Sequence, residues 1–350
     1  MTSMTRPILG ITMGDPAGIG AEIAVKALMN PQLYNNCIPI VIGDFEALKD
    51  AKKFTNAKLI LHELKNPEEA IGVYGTLDYV NMGFLKPGSW EYKKVGSLMG
   101  KAAFGYIKRG IELALEGKIH GVVTGPINKE SLNLAGYLYS GHSEIFAELT
   151  NTKDYCMMLT CPELRVVHVT THVSMRDACN KITRERVLAV IKLADKACRM
   201  LGIEKRRVAV AGLNPHCSEN GLFGFEEERE IIPAIEDAKN IGIYVEGPIP
   251  PDTVFVKAIA GQYDMVVAMY HDQGHIPIKL IGFKLDKTTN KYTSMTGVNS
   301  TIGLPIIRTS VDHGTAFGKA GEGRANEQSL VDAITMATLM ANTRIKLLDQ

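Results

Sequence analysis

PILGITMGDPAGIGAEIAVKALM, residues 7–29, decides how this chain is read. A short apolar run (7–13) meets a glycine-marked turn, GDPAGIG (14–20), and then a helical run from Ala21 to Met29. An apolar run with no polar alternation fits a strand covered on both faces, and the run that follows fits the helix that covers it. The unit recurs downstream. IPIVIG (38–43) precedes FEALKDAKKF (45–54), and a helical segment over roughly 95–116 leads into HGVVTG (120–125). RVVHVTTH (165–172), RVAVAGLNPH (207–216) and DMVVAMYHD (264–272) follow, with helical stretches between or after them. Short buried strands alternating with helices predict an α/β fold with a largely parallel sheet. No repeat of fixed period is present. GFKLDKTTNKYTSMTG (282–297) breaks the rhythm: it is polar, rich in Thr and Lys, and reads as a long surface loop serving as a lid or insertion.

The 350 residues carry 39 Lys+Arg against 38 Asp+Glu, a net charge of +1. That balance, with no basic block, argues against a nucleic-acid binder held by phosphate neutralisation. No stretch reaches the roughly 18 apolar residues of a spanning helix, so no membrane partner is expected. MTSMTRPILG runs straight into strand-like sequence, unlike a signal peptide. Six scattered cysteines without a C-x-x-C pair read as reduced thiols of a cytoplasmic protein. Cys217 is the one to watch, because it follows His216.

Open α/β sheets bind ligands beyond the carboxyl ends of their strands. Three of the nine histidines fall there: His172 ends RVVHVTTH, His216 follows RVAVAGLNP, and His271 follows DMVVAMY. Their placement points to one divalent metal, since imidazole suits Zn and its neighbours and three protein ligands leave positions for substrate. His168 reads as a packed core histidine. His275 lies four residues past His271, where a short helix would bring both to one face; His62 and His120 read as bland surface-turn residues. Asp272 and Asp252 could orient a ligand or act as acid or base; a helix N-cap is the plain alternative for Asp252. Lys129, in TGPINK (124–129), is a candidate for charge stabilisation or proton transfer, against the reading of an exposed Lys opening a helix. GDPAGIG could offer backbone N–H groups to an anion, although it is neither a dinucleotide fingerprint nor a Walker loop. In SGHSE (140–144), His142 and Ser143 at a helix start could hold phosphate or carboxylate. Arg308, directly after an apolar run, suits a bidentate anion clamp.

Taken together, GDPAGIG, TGPINK, GHSE, TTH, GLNPH, GPIPPDT, YHDQG, IGLP and IRTSVDHGTA resemble the 4-hydroxythreonine-4-phosphate dehydrogenase family, in order from about residue 8 to 340. That family is similar in fold to isocitrate and isopropylmalate dehydrogenases: two α/β lobes with the active site in the cleft. The resemblance implies a homodimer that oxidises and decarboxylates a phosphorylated hydroxy acid with NAD (or NADP) and one divalent metal per subunit, Zn, Co, Mn or Mg. It implies His172, His216 and His271 as metal ligands, the set completed across the dimer interface. Substrate would meet His142, Ser143, Lys279, Asn299 and Arg308. The VDHGTAFGKAGEGRAN segment would hold the cofactor through Asp312, His313, Gly314, Thr315 and Asn326.

Three features depart from the family's commonest form. Ser143 stands where Thr is usual, HDQGHIPIK replaces H-D-Q-G-L-P, and the 283–297 segment is longer. The HIP variant looks like the branch acting on D-threonate or D-erythronate 4-phosphate. A cis-dihydrodiol carboxylate dehydrogenase of the wider family, a metal-dependent lyase without NAD and a silent regulator on the same fold are the competing readings. The expected organisation is a cofactor lobe of 1–128 plus 300–350 and a metal, substrate and dimer lobe of 129–299.

Overall fold

In a computed structural model, residues 6–288 and 291–348 are described, with residues 291–295 described for their backbone only. Fourteen strands follow in chain order. The first seven are β1 (Ile8–Thr12), β2 (Ile38–Gly43), β3 (Ile60–Glu63), β4 (Thr76–Asn81), β5 (Gly121–Thr124), β6 (Cys156–Thr160) and β7 (Arg165–His168). The rest are β8 (Val208–Ala211), β9 (Val245–Ile249), β10 (Met265–Ala268), β11 (Phe283–Asp286), β12 (Lys291–Met295), β13 (Val298–Ile302) and β14 (Arg308–Val311).

The chain forms two compact units, Met1–Thr152 with Leu304–Gln350, and Lys153–Gly303. The division thus falls after 152 and after 303, where the sequence suggested 128 and 299. Lys129, His142 and Ser143 accordingly belong to the first unit.

In the first unit the strands run β3-β4-β2-β1-β5-β14, and every neighbouring pair is parallel. The four residues of β5 are all buried, as are the last four of β1, which is why these strands read as apolar runs without alternation. The helix Phe45–Phe54 has the bounds expected from sequence and turns Ala47, Leu48 and Ala51 inward. Gly20 opens the helix Gly20–Ala27 where a Cβ would stand 1.8 Å from the Met13 carbonyl oxygen, so no larger residue fits.

In the second unit the order is β13-β6-β7-β10-β8-β9. β7, β10, β8 and β9 are parallel neighbours, whereas β6 runs antiparallel to both β13 and β7. Its core includes Leu159, Val166, Ala209, Val266 and Ile278. The helix Arg184–Met200 is capped by the Thr183 hydroxyl, which accepts from the Arg186 N–H.

Outside residues 289–290, which lie beyond the described residues, the 283–297 segment is not the irregular loop its polarity suggested. β11 and β12 pair antiparallel, Phe283 opposite Met295 and Asp286 opposite Lys291. The Thr- and Tyr-bearing run KYTSM suits a strand even though it lacks apolar alternation.

Candidate active site

The second unit gathers the histidines. β7, β10 and β8 are adjacent and parallel, so the chain leaves all three at one sheet edge. His172 lies a few residues beyond β7 and is exposed, and His216 lies beyond β8 and is exposed. His271 is the first residue of the helix His271–Gly282, just beyond β10. The His172 and His271 ring centroids are 5.7 Å apart. His271 Nδ1 is 2.7 Å from Asp272 Oδ1, so Nδ1–H donates to the carboxylate and Nε2 keeps its lone pair. Imidazoles oriented in this way suit a divalent metal. Among the described residues, however, no group of three or more His, Cys, Asp or Glu is arranged to hold one.

The turn that carries His216 is unusual. His216, Cys217, Ser218, Glu219 and Asn220 all have positive φ, from 44° to 63°, a left-handed stretch without glycine. Each such residue is strained by about 1 kcal/mol or more, so the surroundings must hold it. Glu227, fully buried, anchors the two residues just ahead of the turn. Its Oε1 accepts from the Leu213 and Asn214 N–H groups at 2.8 and 2.7 Å, and its Oε2 accepts from Asn214 Nδ2 at 2.8 Å. Gln273 ties the neighbouring strand ends together, accepting from Met269 N–H at 2.6 Å and donating to the Gly212 carbonyl at 2.8 Å. Neither residue was singled out from sequence, because nothing marks a carboxylate or amide as buried until the chain folds. Burial, then Glu227, push the Cys217 thiol up to about 11, so it is no reactive thiolate.

His168 ends β7 fully buried, with Nδ1 3.2 Å from the Met157 carbonyl. Burial first, then His275, bring its pKa down to about 3; it is a neutral core histidine, as expected. Asn299 donates to Met157 Sδ at 2.9 Å, and the Lys279 ammonium lies 4.2 Å from the Phe283 ring centre. Asp252 is exposed and does not cap the following helix, whose N-cap is Thr253.

In the first unit, Arg308 opens β14 and is 3% exposed. Its Nη2 donates to the Thr124 hydroxyl at 2.8 Å, and its guanidinium lies 5.7 Å from the Phe146 ring centre. Burial lowers its pKa to about 9, against the pull of Glu144. Phe146 belongs to the helix His142–Leu149, which His142 and Ser143 open. His142 Nε2 is buried without a hydrogen-bond partner, and burial, then Arg308, hold the ring far below the ordinary imidazole range. A buried cation beside a neutral imidazole at a helix N-terminus is an arrangement suited to an anion. Lys129 is exposed and opens the helix Lys129–Leu134, which Asn128 caps by accepting from Ser131 N–H.

Four amides of the GDPAGIG turn are engaged within the fold. Asp15 N–H donates to Pro126, Ala17 N–H to Asp15 Oδ1, Gly18 N–H to the Asp15 carbonyl and Ile19 N–H to the Thr315 carbonyl. Thr315 is therefore part of the support between this turn and the 312–326 segment. Asp312 N–H donates to the Ser329 hydroxyl, and His313 Nδ1 lies 3.0 Å from the Gly314 carbonyl. Asn326 accepts from Gln328 N–H ahead of the helix Gln328–Leu348. Glu22, buried, accepts from Ala325 N–H. His62 and His120 are structural: His62 Nδ1 is 2.7 Å from Asp78, and His120 Nδ1 accepts from Ile8 N–H. No helix of the described residues is long and apolar enough to cross a membrane.

Against known proteins, the model of the pyridoxal phosphate biosynthetic protein PdxA family matches residues 35–337. A D-threonate 4-phosphate dehydrogenase from Cupriavidus necator is 44% identical over 339 residues, 97% of this chain and 98% of that protein. The solved 4-hydroxythreonine-4-phosphate dehydrogenase from Klebsiella pneumoniae is 42% identical with a TM-score of 0.85, covering 96% of this chain and 99% of its own. A terephthalate 1,2-cis-dihydrodiol dehydrogenase from Burkholderia xenovorans is 27% identical with a TM-score of 0.67, covering 96% and 98%.

Proposed function

This chain belongs to the pyridoxal phosphate biosynthetic protein PdxA family, and on that footing we propose that it is an NAD- and divalent-metal-dependent dehydrogenase that oxidises and decarboxylates a 4-phosphorylated 3-hydroxy acid. D-threonate 4-phosphate is our first-choice substrate, in keeping with the Cupriavidus necator relative's name and the HIP variant of the HDQG segment. The observation that carries the reading is Arg308, a guanidinium buried at the head of a strand beside His142. Burying that charge is costly, and a phosphate dianion beside the guanidinium and the His142 ring is a fitting counter-charge.

Arg308, His142 and Ser143 are assigned to the phosphate, and Lys279 and Asn299 to the carboxylate. His172, His216 and His271 are assigned to the metal, with ligands drawn from both copies of a homodimer. When bound, the nicotinamide supplies the hydride acceptor and the divalent ion a Lewis acid for the hydroxyl and carboxylate oxygens. Asp272 is taken up with orienting His271, and Lys129 stands solvated at a helix start, so Asp252 is assigned to receive the hydroxyl proton. Hydride leaves C3 for the nicotinamide and the proton leaves its hydroxyl, giving a β-keto acid; its carboxylate departs as CO₂, and the enolate left behind takes a proton at C2 from solvent. Asp312, His313, Gly314, Thr315 and Asn326 are assigned to the cofactor, held in shape by the Ile19–Thr315 and Glu22–Ala325 bonds.

The test is NADH formation by metal-stripped protein with D-threonate, D-erythronate or hydroxy-L-threonine 4-phosphate, with and without added Zn, Co, Mn or Mg. Turnover that needs metal and fails in His216→Ala supports the reading. Silence on all three substrates with metal supplied overturns it.

A further inference from the structure

His275 has no part in the assignments above, yet it is built into the histidine that opens its helix. His271 and His275 lie one turn apart on the helix His271–Gly282, and their rings stack with centroids 3.6 Å apart and planes 12° from parallel. The His275 ring is itself fixed. Its Nδ1 is 2.9 Å from the His271 carbonyl oxygen, which can only accept, so Nδ1 carries the proton. The buried His168 ring also packs on it, tilted, with a centroid distance of 4.8 Å, and His168 reaches that place because residue 274 is glycine: a Cβ there would stand 2.3 Å from His168 Nε2. His275 is thus in contact with both a buried ring and the ring of His271.

We propose that His275 is a positioning residue that fixes the plane of the His271 ring for divalent-metal binding. The inference rests on the assignment of His271 as a metal ligand and extends it. Asp272 holds the Nδ1 atom of His271 but leaves rotation about that bond open; a stacked ring closes it. Groups that orient a ligand in this way are commonly worth about 10- to 100-fold in metal affinity. A six-membered aromatic ring can supply the same flat face without an imidazole nitrogen, whereas an aliphatic side chain cannot.

The experiment is direct measurement of divalent-metal affinity, by competition with a chromophoric chelator, on full-length wild type and on His275→Ala, His275→Leu and His275→Phe. Thermal unfolding of each apo protein checks the fold, and Leu fills the slot if Ala does not fold. Affinity is expected to fall about 10-fold or more in Ala and Leu and to stay within about 3-fold of wild type in Phe. Unchanged affinity in Leu, or a loss in Phe as large as in Leu, overturns the proposal. His271→Ala separates the two levels. If it abolishes binding while His275→Leu does not weaken it, only the role of His275 fails. If His271→Ala itself binds metal as wild type does, the ligand assignment fails and His275 with it.

Discussion

Replacing Arg308 by Met should make the ligand-free protein more stable while removing its hold on phosphate. The guanidinium is 3% exposed, and burial has brought its pKa from 12.5 to about 9. Below that pH the folded chain carries a charge whose burial opposes folding, a cost on the order of 5 kcal/mol at about 1.4 kcal/mol per tenfold change. Met fills much of the same volume without charge. It forfeits the guanidinium's contacts, among them the bond from Nη2 to the Thr124 hydroxyl, worth about 1 kcal/mol, and some packing on Phe146. The net expectation is a gain on the order of 2–4 kcal/mol, in line with other replacements of buried charge by apolar side chains. Urea unfolding at neutral pH without ligand measures it. The same titration with phosphorylated substrate should raise the midpoint of wild type and leave the variant unmoved, and KM should rise about 100-fold. An apo variant less stable than wild type that still binds the phosphorylated substrate would refute the reasoning.

Asp15, fully buried, has its carboxyl raised from 3.8 to about 6 by burial, against the Ala17 N–H bond that lowers it. Because the folded pKa is the higher one, ionisation opposes folding: the cost is absent below about 3.8, grows as pH rises, and is full above about 6. Asp15→Asn keeps an acceptor for Ala17 and should be more stable than wild type at neutral pH by up to about 3 kcal/mol, a difference that vanishes near pH 4 in denaturant titrations. Glu227→Ala strands the Leu213 and Asn214 amides at a cost of about 1–3 kcal/mol. Hydrogen exchange at those two amides should quicken, and metal affinity should fall with the loosened His216 turn; unchanged exchange would remove Glu227 from that role.

Much of the α/β framework can be read directly because its strands are covered on both faces. PILGITM, IPIVIG and GVVT are apolar runs that a parallel sheet requires, and FEALKDAKKF carries its own helical period. The strand-end histidines are legible for the same reason, since the chain leaves β7, β8 and β10 at one edge. Other features were hidden. KYTSM pairs through its backbone with FKLD, and although Phe283 and Leu285 alternate with Lys284 and Asp286, four residues are too short a signal, and KYTSM has no alternation at all. The left-handed turn from His216 to Asn220 contains no glycine, the usual signature of positive φ, and nothing in the sequence marks Glu227 as the buried anchor of Leu213 and Asn214 just ahead of it. GDPAGIG looks like an anion loop, yet its glycines serve close packing: a Cβ on Gly14 would meet the Pro126 carbonyl oxygen at 2.3 Å. Buried acids such as Asp15, Glu22 and Glu227 look like any surface carboxylate until their neighbours are in place.

The central claim is that a phosphorylated hydroxy acid is oxidised with NAD at a histidine-held metal. NADH release from D-threonate 4-phosphate by metal-stripped protein, before and after one divalent ion is restored, tests it most directly. The account predicts no turnover before, turnover after, its loss in His271→Ala and, in Arg308→Met, turnover only at much higher substrate concentration. Equal NADH release with and without metal, or full activity in either variant at the substrate concentration that serves wild type, would contradict it.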